Sequence, residues 1–190
     1  RPDWDAAFGD DNENESVLFV EDVEPYETMK LRLLNSGHSA LAAVGLLLGH
    51  RLVHLSLADP DVLGFLGAYM RQVARTLGPV PGVDLARYQA KLVDRFANAK
   101  IADQLARLAS DGSQKFKSTL EHALLVLRRE QPARAPTLVA LALACFLRAC
   151  ATQVDERGAA YPLEDPRKGE LAEPARKAVA GDAGGARDFL

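Results

Sequence analysis

Residues 24–49 read EPYETMKLRLLNSGHSALAAVGLLLG. Beyond His38 the stretch is almost entirely alanine, leucine, valine and glycine, with no polar face to turn toward water. Such a run predicts a largely buried helix or helix pair. Pro25 stands where a first-turn proline belongs, and Glu24 and Glu27 favour the positive end of a helix dipole. A helix apolar all round needs other elements to cover it, and the rest of the chain supplies more helices. Asp59-Pro60 starts one over 61–77, and Gly78-Pro79-Val80-Pro81-Gly82 breaks the pattern. Asp84 caps another that runs to about Ala97. A short helix near 101–109 and a longer one near 113–130 follow, separated by Asp111-Gly112. Residues 136–151 are almost wholly apolar and read as a core helix. Gly158 to Asp165 is a loop, and a last helix near 166–180 leads into the glycine-rich tail Gly181–Gly185. Ser16 to Val20 (SVLFV) is a strand-like run, too short to form a sheet by itself. Residues 1–15 read as a linker or loop, and 16–190 as one mainly α domain of about seven helices.

Composition narrows the function. Apolar residues make up 48 % and charged residues 26 %, a globular rather than a disordered balance. The net charge is -3, the pI is near 5.8, and no basic stripe marks a nucleic-acid binder. The one dense charge run, Asp10–Glu15, is acidic and reads as a solvated loop. No apolar run reaches the roughly 18 residues needed to span a bilayer, and Arg1 to Asp11 contains no signal-peptide core. Cys145 and Cys150 have neither redox-pair nor zinc-ribbon spacing and read as buried thiols. The expectation is a cytoplasmic protein with no nucleic-acid or membrane partner.

Glu27, Lys30, Asn35 and His38 interrupt the otherwise apolar helix. At about 100° per residue, with Lys30 as origin, Glu27 lies about 60° around, His38 about 80° and Asn35 about 140°. All four fit one broad face. An unpaired buried polar group costs about 1–3 kcal/mol, so the cluster calls for mutual partners, water or a ligand. The types suit proton transfer. A desolvated lysine can act as a general base, and an amide and an imidazole N–H can hold a carbonyl oxygen or developing alkoxide. Spacing is the difficulty. Lys30 and His38 are eight residues apart, about 12 Å along a straight helix, and Ser36-Gly37 offers a place for a bend. The other reading of the same residues is a satisfied polar seam between helices.

The run MKLRLLNSGHSALAAVGLLLG resembles the signature of the polyol-specific long-chain dehydrogenases, the mannitol dehydrogenase and fructuronate reductase family. Its pattern is a lysine, four residues, an asparagine, two residues and a histidine, met here by Lys30, Asn35 and His38. Phe19–Glu27, Ala58-Asp59-Pro60, Pro81–Leu85, Arg95–Asn98 and Asp111–Lys115 match in order, so the likeness covers roughly residues 16–120. Between Asn35 and His38 stands Ser-Gly, where relatives often have Gly-Ser or Ala-Gly. The resemblance implies the helical C-terminal domain of such an enzyme, similar to that of 6-phosphogluconate dehydrogenase. It implies Lys30 as general acid/base, Asn35 and His38 on the substrate oxygen, Glu27 beside the lysine, and Arg107 and Lys115 on further substrate oxygens. For Arg107 and Lys115, ordinary helix-end charges are the alternative. The implied partners are a small polyol, ketose or hexuronate and the N-terminal Rossmann domain of the same polypeptide, which would carry most of the NAD or NADP site. That domain is absent from this chain, and no G-x-G-x-x-G occurs in the sequence. The rival class is a non-catalytic helical interaction module descended from such an enzyme, with its polar seam paired internally.

Neither metal nor serine chemistry is expected. His50 and His54 are four apart, but no carboxylate or cysteine close in sequence completes a zinc site. Gly112-Ser113 is not a nucleophile elbow.

Overall fold

The computed structural model describes residues 19–130, 136–182 and 184. The expected linker 1–15, most of the expected strand 16–20 and part of the glycine-rich tail lie outside the described residues. Phe19 and Val20 form no strand. The described chain is helical: α1 (Glu24–Met29), a π-helical stretch (Lys30–Asn35), α2 (Ser36–Leu47), α3 (Val53–Ser56), α4 (Pro60–Ala74), α5 (Leu85–Phe96), α6 (Leu105–Ala109), α7 (Gly112–Glu130), α8 (Thr137–Thr152) and α9 (Lys168–Val179). Among the described residues the only β pairings are two isolated bridges, Leu52 with Gln104 and Val154 with Ala160. No helix among them is long and apolar enough to cross a membrane.

α2 is the axis of the domain. It packs against α4, α6, α7 and α8, and every residue from Ser39 to Leu46 is buried. Small residues allow this crowding: a Cβ at Gly37 would stand 3.1 Å from Met70 Cε, and one at Gly45 would stand 2.8 Å from Leu105 Cδ1. Outer helices show the expected one-sided pattern. α5 buries Leu92 and Phe96, and α9 buries Leu171 and Ala175.

Local chemistry sets the ends. Asp59 accepts from the Asp61 amide with Pro60 in the first turn, and Asp84 accepts from the Ala86 and Arg87 amides. α2 stops at Gly49 (φ 89°), where the His50 amide returns to Gly45 O at 2.9 Å and the Gly49 amide to Leu46 O at 3.1 Å. That is the glycine-terminated end that releases a helix into a loop. The buried Asp155 accepts from Arg51 (2.8 Å) and from the Arg157 and Ala159 amides, and Glu156 N reaches Leu47 O. The 153–160 loop is thereby fastened to the end of α2. Cys145 and Cys150 are buried and not joined in a disulfide, and burial pushes the Cys150 thiol up to about 12.

Two boundaries differ from the sequence reading. The helix expected near 101–109 begins only at Leu105, because Ala102 takes a left-handed φ of 47° and Gln104 bridges to Leu52. Ser36-Gly37 is not where the long helix departs from α geometry. The departure is the preceding π turn, where the Ser36 amide bonds Leu31 O, five residues back.

The start of α7 shows why Gly112 occupies its place. Asp165 receives the Ser113 amide and hydroxyl, both at 2.7 Å, while the Phe116 and Phe146 rings stack at 4.5 Å. A Cβ on Gly112 would drive into the Phe146 ring, with Cζ at 2.7 Å, and that ring is 2 % exposed and stacked on Phe116. Gly112→Ala is expected to lose about 1–3 kcal/mol of stability in urea unfolding. An unchanged midpoint would show that Phe146 can yield.

Candidate active site

The π turn changes how the polar groups on this helix are disposed. In α geometry Lys30 and Asn35, five apart, diverge by about 140°. A turn closed by i→i+5 hydrogen bonds is wider and brings residues five apart toward the same side. Local hydroxyls accommodate it. Ser36 Oγ donates to Arg32 O, a carbonyl that a regular α-helix would give to the Ser36 amide, and Ser39 Oγ donates to Asn35 O at 3.2 Å. The Arg32 guanidinium, half-buried, reaches across to the Thr76 carbonyl and hydroxyl and ties the turn to the end of α4.

His38 follows on α2. Its ring stacks on Phe96 of α5, centroids 4.2 Å apart and planes 28° from parallel. Phe96 is itself buried, so it gives the imidazole a firm floor. Burial pushes the His38 imidazole down to about 4. The nearby Asp103 carboxylate opposes this, and the charges of Arg107, Arg95 and Lys115 add to it. His38 is therefore neutral at physiological pH, with one ring nitrogen able to donate and the other to accept.

Of the residues expected from sequence, the structure gathers His38, Arg107 and Lys115 into one electrostatic neighbourhood. Arg107 lies in α6 and grips Asp103 through both Nε and Nη2, which holds the Asp103 carboxyl below the usual range. Lys115, in the first turn of α7, donates to the Leu108 and Ser110 carbonyls at the end of α6. Part of its role is therefore the helix-end one weighed above. Asn35 is half-buried one turn before His38. Lys30 and Glu27 stand further out and are exposed; among the described residues their side chains form no hydrogen bond or ion pair. The sequence reading places Lys30 in a desolvating cleft; among the described residues it opens the π turn and is exposed.

Two hollows lie elsewhere. One is apolar, lined by Phe116, Leu120, Leu143, Phe146 and Leu171 among others, and one is lined by Arg32, Thr76 and His122 among others. Neither is lined by Lys30, Asn35 or His38. Asp103 was not singled out from sequence, and Arg95 and Phe96 entered only within the matching segment Arg95–Asn98, with no role given to either. Asp103 and Arg107, opposite charges four apart, carried a readable signal; the Phe96–His38 stack, between helices, carried none. His50 is not on one helix turn with His54. It precedes α3 and lies 3.3 Å from Asp59 Oδ2, and no group of three metal-ligating side chains occurs among the described residues.

Comparison with known proteins locates this arrangement. Residues 22–184 match the family model described as "Mannitol dehydrogenase C-terminal domain". Mannitol dehydrogenase 2 of Saccharomyces cerevisiae is 38 % identical over 168 residues, which are 87 % of this chain and 31 % of that protein. The Polyol:NADP oxidoreductase of Gluconobacter oxydans is 33 % identical over 87 % of this chain and 34 % of its own length. The structure of Pseudomonas fluorescens mannitol 2-dehydrogenase, a ternary complex with NAD and D-mannitol, superposes with a TM-score of 0.79 at 41 % identity, over 86 % of this chain and 33 % of that one. The chain thus spans about a third of the length of these relatives.

The depressed His38 makes a prediction with a definite sign. The unfolded imidazole takes its proton near the ordinary value of 6.5 and the folded one only near 4, so between these values the unfolded state holds more protons. The contribution of a neutral His38 is fully present above about 6.5 and is lost as pH falls through about 4. It is on the order of 2 kcal/mol once the part of the ring that water reaches is discounted. Urea unfolding of wild type and His38→Gln between pH 4 and 7 should show a flatter pH dependence in the variant. Parallel curves would refute the assignment.

Proposed function

The chain belongs to the mannitol dehydrogenase C-terminal domain family, and on that premise we propose that it is the substrate-side half of an NAD(P)-dependent oxidoreductase that interconverts a polyol or sugar acid with its ketose. The observation that carries this reading is the neutral His38, stacked on Phe96 and ringed by Arg107, Lys115 and Arg95, one turn from Asn35 on the family's own signature helix.

In the proposed mechanism the Asn35 amide and the His38 imidazole N–H hold the reacting oxygen. A neutral imidazole suits this task, since it donates a hydrogen bond without forming a fixed ion pair. Lys30 moves the proton: it takes it from the alcohol in oxidation and returns it to the carbonyl oxygen in reduction. Glu27, one turn before Lys30, passes that proton toward solvent. Arg107 and Lys115 receive the remaining substrate oxygens, and their cationic donors suit hydroxyl and carboxylate groups alike. The nicotinamide, when bound, gives or takes the hydride at carbon.

The nucleotide fits this chain poorly, because the sequence has no glycine-rich phosphate loop. Its site belongs to an N-terminal Rossmann-type domain. Docking of that domain would also cover Lys30, which the described residues leave exposed. The Gluconobacter relative is named for NADP and the Pseudomonas enzyme forms its complex with NAD, in keeping with a choice made outside this domain. The rival reading, a non-catalytic module, requires an internally paired polar seam. The unpaired Lys30 and Glu27 among the described residues favour the enzyme.

The test joins this chain to its nucleotide-binding domain and assays D-mannitol, D-arabinitol and hexuronates with NAD and NADP. Lys30→Ala should lower kcat by roughly 10²–10⁴-fold, the range for loss of a positioned acid/base. A variant that keeps wild-type turnover would rule out Lys30 as the proton carrier.

A further inference from the structure

We propose that Asp103 is a positioning residue of the substrate site, gripping one edge of the Arg107 guanidinium so that its other N–H groups are presented to a ligand oxygen. The inference rests on the reading of Arg107 as a substrate contact.

Three observations converge on it. First, the grip is bidentate. Arg107 Nε donates to Asp103 Oδ1 at 2.7 Å and Nη2 to Oδ2. A guanidinium has five N–H donors, so two are spent and the rest stay free on the far edge. Both donors come from the same side of the planar fork, which fixes the plane and the direction of the free edge together.

Second, Asp103 is anchored in a way an ordinary helical ion pair is not. It lies outside α6, which begins at Leu105. Its carbonyl accepts from the Val53 amide at 2.9 Å, the Leu105 amide reaches Arg51 O at 3.0 Å, and Gln104 bridges to Leu52. Its Oδ1 also accepts from the Gln104 amide at 2.8 Å. The preceding Ala102 takes φ 47°, the turn that delivers this segment to the 51–53 strip. The Asp103 side chain is 19 % exposed, whereas that of Arg107 is 66 % exposed. The anion is the fixed member and the cation the presented one. An exposed pair between two flexible side chains would have neither property.

Third, among the described residues Asp103 is the one carboxylate acting on His38, against three cations, Arg95, Arg107 and Lys115. Gathering three cations beside one imidazole is unfavourable without a counter-charge. Asp103 supplies it while occupying no ligand-facing donor beyond the two on its own edge.

The proposal is tested in two independent ways. In the enzyme with its nucleotide-binding domain, with D-mannitol and NAD, Asp103→Asn should raise KM about 10–100-fold and leave kcat within about threefold, since a contact shared by ground and transition states is lost. Arg107→Lys, which keeps the charge and loses the fork, should do the same. The double variant should be no worse than Arg107→Lys alone, because Asp103 acts through Arg107. An unchanged KM in Asp103→Asn, or a full additive loss in the double variant, overturns the proposal. If Asp103→Asn fails to fold, Asp103→Glu takes its place: KM raised severalfold is expected, and wild-type KM overturns the proposal. The second test needs no activity. In the 190-residue chain labelled with ¹⁵N-arginine, the Arg107 Nε–H should exchange slowly in wild type and rapidly in Asp103→Asn. Protection that persists in the variant overturns the proposal. If the joined enzyme turns over no polyol, the functional reading above fails, and the exchange measurement alone decides the role of Asp103.

Discussion

Burial of α2 on every side is the constraint on which this domain depends. A helix wrapped by α4, α6, α7 and α8 cannot rotate or slide without disrupting four interfaces at once. Its buried half is therefore a rigid mount. The polar groups of its opening turns inherit that rigidity although they lie at its open end. His38 is the first polar site residue on the mount, and the floor provided by Phe96 removes most of the remaining freedom of its ring. Precision of this kind belongs to side chains on packed elements rather than on loops.

The π turn reconciles two demands on one helix. The apolar run from Ser39 onward must keep α periodicity to pack, while Lys30 and Asn35 need a different angular relation to share a side. One widened turn between them changes the second without disturbing the first. The Arg32 carbonyl, passed over by the Ser36 amide, receives the Ser36 hydroxyl, and the Ser39 hydroxyl back-bonds to Asn35 O, where the α pattern resumes. That gives a physical reason for serines at two buried positions of an otherwise aliphatic helix. Arg32 fastens the same turn to Thr76, so the irregular backbone is braced from outside as well.

Most of the fold was legible because its signals are local. Asp59-Pro60 and Asp84 announce helix starts by their own capping chemistry, and the aliphatic runs in α2 and α8 announce burial. The misjudged features are those set by distant partners. The late start of α6 depends on a bridge to Leu52, which is remote in sequence, and the π turn depends on packing and back-bonding that a fixed 100° step cannot express. The site divides in the same way. Lys30, Asn35 and His38 were readable as a spacing, and Arg107 and Lys115 as matching positions. The stack of His38 on Phe96 joins residues far apart in the chain and had no trace in either.

The proposed division of the site between two domains has an electrostatic side. His38, half-buried among cations, stays neutral through the contacts this chain already makes. Lys30, exposed on the outer side of the π turn, meets water instead. On the proposed reading, the helical half arranges the substrate oxygens, and the lysine acts once the nucleotide-binding domain closes over it. His38, Arg107 and Asp103, by contrast, are held by contacts among the described residues: the stack on Phe96 and the two-pronged grip of Asp103 on Arg107.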